Sequence, residues 1–500
     1  MKSLLVLLLL TAAALARQPN VILILADDLG RGDLGCYGQK HIRTPNLDRM
    51  AAEGMKLMDH YSGNAVCAPS RCVLMTGYHP GHAFIRDNRQ ADNAKGLPKM
   101  GKPEHEGQFP IPDATVTMPE AFKAAGYVTG GFGKWGLGGP GSTGEPLKQG
   151  FDRWFGYNCQ GVAHNFYPTY LWDNDKTIDL KNPPFPSNDK LKPDEDPTKP
   201  ESYQRFQGTE YSADLISDQA LKFARDHKDR PFFLYWPTTV PHLAMQVPDD
   251  SVAEYDGQFE ETPYPGGKGY LPHFKPRAGY AAMITRMDRE IGKMMALISE
   301  LGLDDDTIFV FISDNGSLNG THQGLGGVDA AFFNSSSGFR DGKGTLYEGG
   351  IRSPGILRWK GKVKPGISKA ITGFEDWMPT LLDLCGVKDP TPVGIDGASF
   401  ANVLRGESQN GREFLYREFT GYGGQQCVRL GKWKYLRTGL SGGKAKKAAK
   451  TSEELYDLEN DPAETTNVIE NHPEVVAHMK AIAAREHQNS ADFKFPALDQ

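Results

Sequence analysis

The sequence predicts an α/β fold in which helices cover both faces of a large mixed, mainly parallel sheet. Short, fully apolar runs alternate with amphipathic helical patterns along most of the 500 residues, which is typical of such sheets. After residue 386 the pattern changes to short strand-like runs separated by turns, which indicates a small C-terminal α+β subdomain with an antiparallel sheet. The hydrophobic fraction of 39% supplies enough apolar side chains for a large core.

The individual elements of the main domain are predicted from the period of the apolar side chains. Strands are expected at the apolar runs such as VILIL, PFFLYW and TIFVFI, and helices where apolar residues recur every three or four positions. We interpret the methionine stripe of the longest helix as core. The predicted strands cover residues 21–25, 127–132, 231–236 and 307–312, and the predicted helices cover residues 44–53, 117–125, 211–226, 280–301 and 376–384.

The chain divides into three predicted segments. Residues 1–16 form an export signal, residues 17–386 form the main domain, and residues 387–500 form the C-terminal subdomain. Within the subdomain, strand-like runs cover residues 412–418 and 426–436, and a last helix covers residues 473–486.

The first sixteen residues have the pattern of a secretory signal. Lys2 supplies the positive start, residues 4–10 the apolar run, and Ala14-Leu15-Ala16 the cleavage pattern. The run is too short to span a bilayer and no later segment is long enough, so no transmembrane segment is expected. We therefore predict a periplasmic or secreted protein, and the six scattered cysteines favour a periplasm over a disulfide-rich extracellular module.

The overall charge excludes some classes of partner. A net charge of −6 gives no general attraction to nucleic acid or to acidic lipid. A local basic run has two interpretations, contact with a polyanion or a solvated hairpin tip. It consists of Lys444, Lys446, Lys447 and Lys450.

Polar pairs follow two of the predicted buried strands. Asp27 and Asp28 come directly after VILIL, and Asp314 and Asn315 follow TIFVFI and Ser313. Because ligands bind beyond the carboxyl ends of strands in open α/β sheets, we expect these side chains in one crevice. Three adjacent carboxylates need a cation, and oxygen ligands favour Ca²⁺, with Mg²⁺ as the second choice. The alternative is that each pair only forms a turn and caps a helix.

One motif connects the chain to a known family. The run from Cys67 to Gly77 reads C-A-P-S-R-C-V-L-M-T-G, which resembles the type I sulfatase signature C-x-P-S-R-x-x-x-L-T-G, with Met75 in place of leucine. This family belongs to the alkaline phosphatase-like superfamily. The resemblance implies that a maturation enzyme oxidises Cys67 to formylglycine, an aldehyde. It also implies that Asp27, Asp28, Asp314 and Asn315 bind calcium, together with an oxygen of the modified Cys67.

The resemblance also implies an anion-binding ring. Arg71 lies one helical turn after Cys67, and Lys134 and Lys343 occur in Gly-rich segments that resemble the segments which place lysines on the sulfate. His242, in the Pro-His pair after PFFLYW, is expected to be the general acid for the leaving oxygen. The implied nucleophile is one hydroxyl of the hydrated aldehyde at position 67.

The chain departs from the family pattern at Gly136. The common form G-K-W-H-x-G is G-K-W-G-L-G here, so the histidine that normally contacts the formylglycine hydroxyl is missing. A metal-binding aspartate or another histidine must then take the proton. The histidine candidates are His164 first and His322 second, followed by His79 and His82.

These observations predict a sulfatase that acts on a sulfated saccharide or glycan. Arg86, Asn88 and the run 158–172 carry polar and aromatic groups suited to a sugar, and the run resembles a segment of sulfatases for galactose- or N-acetylgalactosamine-type sugars. One alternative is a phosphate or phosphonate ester hydrolase of the same superfamily. A second alternative is a non-catalytic protein that binds sulfated glycans.

Overall fold

The computed structural model describes residues 17–90, 106–387, 392–407, 412–441 and 451–499. The predicted signal at residues 1–16 and the basic run from Lys444 to Lys450 lie outside the described residues. None of the helices among the described residues has the length and apolar character needed to cross a bilayer.

The predicted helices and strands occur in the predicted order, with further elements between them that the apolar pattern did not predict. The main domain contains β1 (Asn20–Ala26), α1 (Pro45–Ala52), β2 (Met55–Tyr61), α2 (Cys67–Thr76), α3 (Met118–Ala124), β3 (Val128–Lys134), β4 (Arg153–Tyr157), β5 (Tyr170–Asp173), β6 (Lys176–Asp179), α4 (Ser212–Asp226), β7 (Phe232–Pro237), α5 (Asp249–Ala253), α6 (Pro276–Glu300), β8 (Thr307–Ser313), α7 (Glu348–Ile351), β9 (Gly355–Arg358), β10 (Gly366–Gly373) and α8 (Trp377–Leu384). The C-terminal part contains α9 (Ala401–Arg405), β11 (Leu415–Phe419), β12 (Gln425–Leu430), β13 (Trp433–Thr438), β14 (Ser452–Asp457) and α10 (Pro473–Arg485).

The large sheet is mixed and mainly parallel, as predicted. Among the described residues it has ten strands in the order β10-β2-β9-β8-β1-β7-β3-β4-β5-β6. The five central strands, from β8 to β4, run parallel, and β9 and β5 pair with their neighbours in the antiparallel direction. Every residue of β1, β7 and β8 is buried, which explains why these runs are apolar without alternation.

Strand register brings the predicted polar pairs together. Ala26 of β1 is paired with Ser313 of β8, so Asp27 and Asp314 follow at equivalent positions on neighbouring strands. β7 and β3 lie on the other side of β1, and their carboxyl ends open into the same crevice.

A second sheet lies in the C-terminal part. It is antiparallel, with the order β11-β12-β13-β14, and α10 covers one of its faces through Met479 and Ile482. The prediction of one strand-like run over residues 426–436 was wrong in one respect. The structure divides this run into β12 and β13, because Gly431 turns the chain with a φ of +57°.

Candidate active site

Cys67 is the first residue of α2 and is buried at the centre of the crevice. Its thiol lies 3.5 Å from Asp27 Oδ1, to which it donates a hydrogen bond. Burial raises the pKa of the thiol to about 12, against the opposing effect of Lys134 and Lys343. A cysteine in this environment stays a neutral thiol at neutral pH and is a poor nucleophile in its unmodified form.

Three cationic side chains surround the cysteine. Lys134 Nζ and Lys343 Nζ lie 3.5 Å and 3.6 Å from Cys67 Sγ. Arg71 is fully buried, and it donates to Asp314 Oδ2 from Nε and Nη2 at 3.1 Å and 2.9 Å. The Arg71 Nη1 group donates to the Lys134 carbonyl at 2.5 Å, which ties the end of β3 to α2.

Three buried carboxylates balance these cations. Asp27 Oδ2 accepts from Lys134 Nζ at 2.6 Å, and Lys343 Nζ lies 2.8 Å and 2.7 Å from the two oxygens of Asp28. Burial alone would raise the pKa of Asp27, but Lys134, His242, Arg71 and Lys343 bring it well below its usual range. Burial and the charge of Asp27 raise the pKa of Asp314 to about 6.

The arrangement fits a hard cation. Asn315 donates from Nδ2 to Asp28 Oδ1 at 2.8 Å, whereas its Oδ1 is buried and has no hydrogen-bond partner. Ligand atoms of Asp27, Asp28, Cys67 and His242 lie within 4.8 Å of one another. An unpaired amide oxygen beside three carboxylates is the donor set that Ca²⁺ or Mg²⁺ prefers. Within the described residues, three predicted ligands, Asp27, Asp28 and Cys67, thus lie together with His242. Asp314 and Asn315 adjoin them through contacts with Asp28, since Asp314 Oδ1 accepts from the Asp28 N–H at 3.2 Å.

Two histidines stack at the other side of the crevice. His242 is buried, with Nδ1 2.6 Å from the Leu243 carbonyl and Nε2 3.5 Å from Asp28 Oδ2. The half-buried ring of His164 covers it at a centroid distance of 4.5 Å, and Tyr270 meets both rings edge-on. Burial and neighbouring cations lower the pKa of both histidines well below the usual range. The first-choice candidate His164 thus lies beside His242.

Asn88 and His322 lie at the rim of the crevice. Asn88 Oδ1 accepts from the Ala68 backbone N–H at 2.8 Å, so it caps the helix that begins with Cys67. His322 Nε2 lies 3.3 Å from Tyr422 Oη. Burial and the charge of Lys343 lower the pKa of the His322 ring.

Three other candidates, Arg86, His79 and His82, lie outside this cluster. Arg86 is buried and donates to Glu418 Oε1 and to the carbonyls of Ala83, Gly81 and Gln488, a placement that fits a structural role and not the predicted sugar contact.

His79 and His82 also bond elsewhere. His79 Nε2 lies 3.0 Å from Glu486 Oε2, and His82 Nδ1 lies 2.8 Å from Asp396 Oδ1. These contacts join the end of α2 to the C-terminal part, so neither histidine is placed to take the proton from residue 67.

Another side chain fills the space beside Gly136. Gly136 has a φ of +94°, and a Cβ there would lie 2.7 Å from Gln160 Nε2. Gln160 is buried, and its Nε2 has no hydrogen-bond partner. The glycine therefore leaves room for the amide of Gln160, which follows β4.

Tyr270 and Tyr422 are not among the residues that the sequence predicted for the site, and Gln160 was included only as a member of the run 158–172 expected to contact a sugar. Tyr270 carried no sequence signal that separates it from ordinary loop residues. Tyr422 did carry one, because a large aromatic residue in the run Gly421-Tyr422-Gly423-Gly424, between two strand-like runs, exposes its ring at a turn.

Comparisons with known proteins identify the family of the chain. The family described as Sulfatase matches residues 19–387, and the family described as N-sulphoglucosamine sulphohydrolase, C-terminal, matches residues 337–489. Human arylsulfatase A is 32% identical, with 98% of this chain and 92% of the relative covered. An N-acetylgalactosamine-6-O-sulfatase of Bacteroides thetaiotaomicron is 29% identical, with 93% of each chain covered.

A solved structure extends the comparison to the fold. It comes from a study of the metabolism of multiple glycosaminoglycans by Bacteroides thetaiotaomicron and is 30% identical. Its TM-score to this chain is 0.69, with 93% of this chain and 98% of the solved chain covered. The match over residues 19–387 spans most of the chain. The chain belongs to the sulfatase family and is a sulfuric ester hydrolase.

Proposed function

We propose that this protein hydrolyses O-sulfate monoesters of carbohydrates, through a formylglycine made from Cys67 and with a bound calcium ion. The proposal rests on the placement of Lys134 and Lys343 beside a buried Cys67 whose thiol has a raised pKa, with Arg71 bonded to the Lys134 carbonyl behind them. A thiol that is neutral at neutral pH needs conversion before it can attack sulfur, and a maturation enzyme is the proposed source of that oxidation. Mg²⁺ remains the second choice of metal.

The residue at position 67 provides the nucleophile. When oxidised, it supplies a hydrated aldehyde with two hydroxyls, one for attack on sulfur and one for the later release of sulfate. The side chains of Asp27, Asp28, Asp314 and Asn315 would hold the calcium ion, which supplies a positive charge that favours deprotonation of that hydroxyl and polarises the ester.

Charge balance supports binding of an anionic ester. The three buried carboxylates are already matched by Arg71, Lys134 and Lys343, so a divalent cation would leave the crevice with excess positive charge. Lys134 and Lys343 flank the cysteine and would hold the sulfate oxygens there, where buried donors act strongly on developing charge.

His242 is proposed to give the proton to the leaving oxygen. Burial lowers its pKa, but an anionic ester bound beside the ring acts in the opposite direction and favours the imidazolium. His164 stacks on His242 and is proposed to hold this ring and to contact the substrate. Asn88 and His322, at the rim, are proposed as weaker substrate contacts.

The substrate class rests on the relatives and on the rim. Relatives named for N-acetylgalactosamine sulfates support a galactose- or N-acetylgalactosamine-type sugar. We also propose export through residues 1–16, with a catalytic domain at 17–386 and a C-terminal subdomain at 387–500; the sulfatase match at 19–387 is compatible with this division. A periplasmic or secreted location follows from the proposed signal.

A side-by-side assay tests the proposal. One preparation, with its calcium content and its residue 67 measured, is given defined sulfated mono- and disaccharides, an aryl sulfate and an aryl phosphate. We expect sulfate release from at least one 6-sulfated galactose-type saccharide at a higher kcat/KM than for the aryl phosphate. Faster release of phosphate than of sulfate would favour the alternative phosphate or phosphonate hydrolase. Binding of the saccharides without sulfate release would instead favour the non-catalytic alternative.

A further inference from the structure

Tyr422 is an exposed aromatic residue in a strained turn. It lies between β11 and β12, its side chain is 60% exposed, and its φ is +50°. A bulky side chain rarely adopts this left-handed conformation, for which glycine or asparagine is suited. Strain of this kind persists where the surrounding structure enforces it, and it concentrates at functional sites.

The turn is fixed to the catalytic loops on both sides. Gln425 donates from Nε2 to the Gly344 carbonyl at 2.8 Å and accepts from the Leu346 N–H at 2.9 Å. Asn64, three residues before Cys67, donates to the Glu418 carbonyl at 2.9 Å. The second sheet therefore holds the turn at a defined position relative to Lys343 and Cys67.

The ring of Tyr422 lies against the backbone next to Lys343. A Cβ on Gly344 would come within 3.3 Å of two ring carbons of Tyr422 and within 3.0 Å of His322. The phenol oxygen lies 3.3 Å from His322 Nε2. Lys343 Nζ lies 3.6 Å from Cys67 Sγ. Because the ring of Tyr422 contacts Gly344, the residue after Lys343, it lies at the rim of the crevice beside this cation.

We propose that Tyr422 is a stacking platform for the pyranose ring of the sulfated saccharide whose ester group is bound at Cys67. This inference rests on the proposed function. The apolar C–H face of a sugar packs on an aromatic ring, whereas the sulfate is held by the buried cations, so the two parts of the substrate use separate groups. His322 bonds to the phenol and holds the ring in place. The C-terminal sheet would thus contribute to sugar recognition.

Three variants of Tyr422 distinguish the effect of the ring from the effect of the hydroxyl and from a loss of stability. Tyr422→Gly and Tyr422→Asn remove the ring and its contacts with His322 and Phe419, but they suit a φ of +50°, so relief of the backbone strain should offset part of the lost packing and both variants should remain folded under assay conditions. Tyr422→Phe keeps the ring without the hydroxyl. Val393→Gly, at an apolar residue that is 99% exposed, is the surface control.

Two constants are measured on each variant: kcat/KM for a sulfated saccharide that the wild type cleaves, and the inhibition constant of inorganic sulfate. We expect Tyr422→Gly and Tyr422→Asn to lower kcat/KM by about tenfold or more, with an unchanged sulfate inhibition constant. Tyr422→Phe should stay within about threefold of the wild type. Val393→Gly should change neither constant.

Two results would contradict the proposed stacking of the sugar on Tyr422. The first is an unchanged saccharide kcat/KM in Tyr422→Gly, and the second is an equal loss of saccharide turnover and sulfate inhibition. Failure of the proposed function has a different signature, because the wild type itself would then release no sulfate from any saccharide.

Discussion

Two buried clusters of charge in this molecule differ in how completely they are paired. One is the crevice around Cys67, and the other, the interface cluster, is Glu375, Asp376, Arg412 and Arg417. In the interface cluster Arg417 donates to both oxygens of Glu375, and Arg412 donates to Glu375 and Asp376. The backbone N–H groups of Gly373 and Ala398 complete the bonding of Asp376.

In the crevice around Cys67, by comparison, one buried polar atom lacks a hydrogen-bond partner. Asn315 Oδ1 has no partner there, and Asp314 has a pKa raised to about 6 although Arg71 bonds to it. In the interface cluster the pKa of Glu375 lies at about 2 because Arg417 and Arg412 outweigh the effect of burial, whereas burial raises the pKa of Asp376. Each cluster thus holds one carboxyl with a lowered pKa and one with a raised pKa, and the unpaired oxygen of Asn315 is what distinguishes the crevice. A cluster whose polar groups are all bonded therefore joins parts of the fold, whereas a buried polar atom without a partner, beside paired charges, marks a place for a ligand.

The largest expected effect is on the crevice chemistry. Cys67→Ser should lower kcat by more than about 10³-fold, because serine lacks the second hydroxyl that releases sulfate. Unfolding curves should remain close to those of the wild type, since serine fits the same space. Sulfate release under saturating substrate is the measurement.

Cys36→Ser is the matched control, because Cys36 is a half-buried free thiol outside the crevice. It should keep full activity. A Cys67→Ser enzyme with wild-type turnover would contradict the role assigned to residue 67.

The next effect concerns the metal. Chelation should abolish activity and calcium should restore it, and Asn315→Ala should weaken calcium binding by at least about tenfold through loss of one oxygen ligand. Calorimetry of calcium binding and the calcium-dependent rise in Tm give readouts independent of activity.

Asn460→Ala, at an exposed residue, should leave calcium affinity unchanged. Unchanged affinity in Asn315→Ala would remove this residue from the ligand set, and recovery with Mg²⁺ alone would assign the site to magnesium.

The interface cluster should respond in stability and not in chemistry. Glu375→Gln should lower the free energy of unfolding by about 3–5 kcal/mol, because it leaves the buried Arg417 guanidinium without its carboxylate and removes one of the two carboxylates bonded to Arg412. The kcat of the folded enzyme should be unchanged. Urea denaturation and sulfate release on the same sample are the measurements.

Glu254, a partly exposed residue that pairs with Arg43 and Arg289 at the surface, provides the control, since Glu254→Gln should cost about 1 kcal/mol or less. If Glu375→Gln lowers kcat at unchanged stability, the contrast between the two clusters is wrong.

The smallest change we expect is the pH dependence of the stability that Glu375 contributes. A glutamate with a folded pKa of about 2 and an ordinary pKa of 4.5 contributes stability fully above pH 4.5. This contribution is lost as the pH falls toward 2. The difference in unfolding free energy between wild type and Glu375→Gln should therefore shrink between neutral pH and about pH 3. A difference that stays constant with pH would contradict the assignment to Glu375.

The sequence predicts the parts of the molecule that local pattern determines. Asp27 and Asp314 could be placed together because each follows an apolar strand, and parallel strands end at one edge of the sheet. Pairing of residues far apart in the chain has no such signal. Arg86 belongs to a residue type that usually lies at the surface. It is nevertheless buried in an ion pair with Glu418, 332 residues further along the chain.

The rim was equally hard to predict. Tyr422 lies at the rim because the second sheet bonds to the Lys343 loop through Gln425 and to Asn64 through the Glu418 carbonyl. That docking depends on tertiary packing, which the turn sequence alone does not determine. The side chain beside Gly136 could not be predicted either, because Gln160 belongs to a different strand end.

Residue 67 is proposed to work as an aldehyde. The most direct test is the mass of the peptide containing residue 67 from fully active enzyme, made with and without the maturation enzyme, together with the activity of both samples. We predict that activity rises in proportion to the fraction of peptide carrying the aldehyde, and that pure thiol protein is inactive. Full activity in protein that carries only the cysteine thiol would contradict the account.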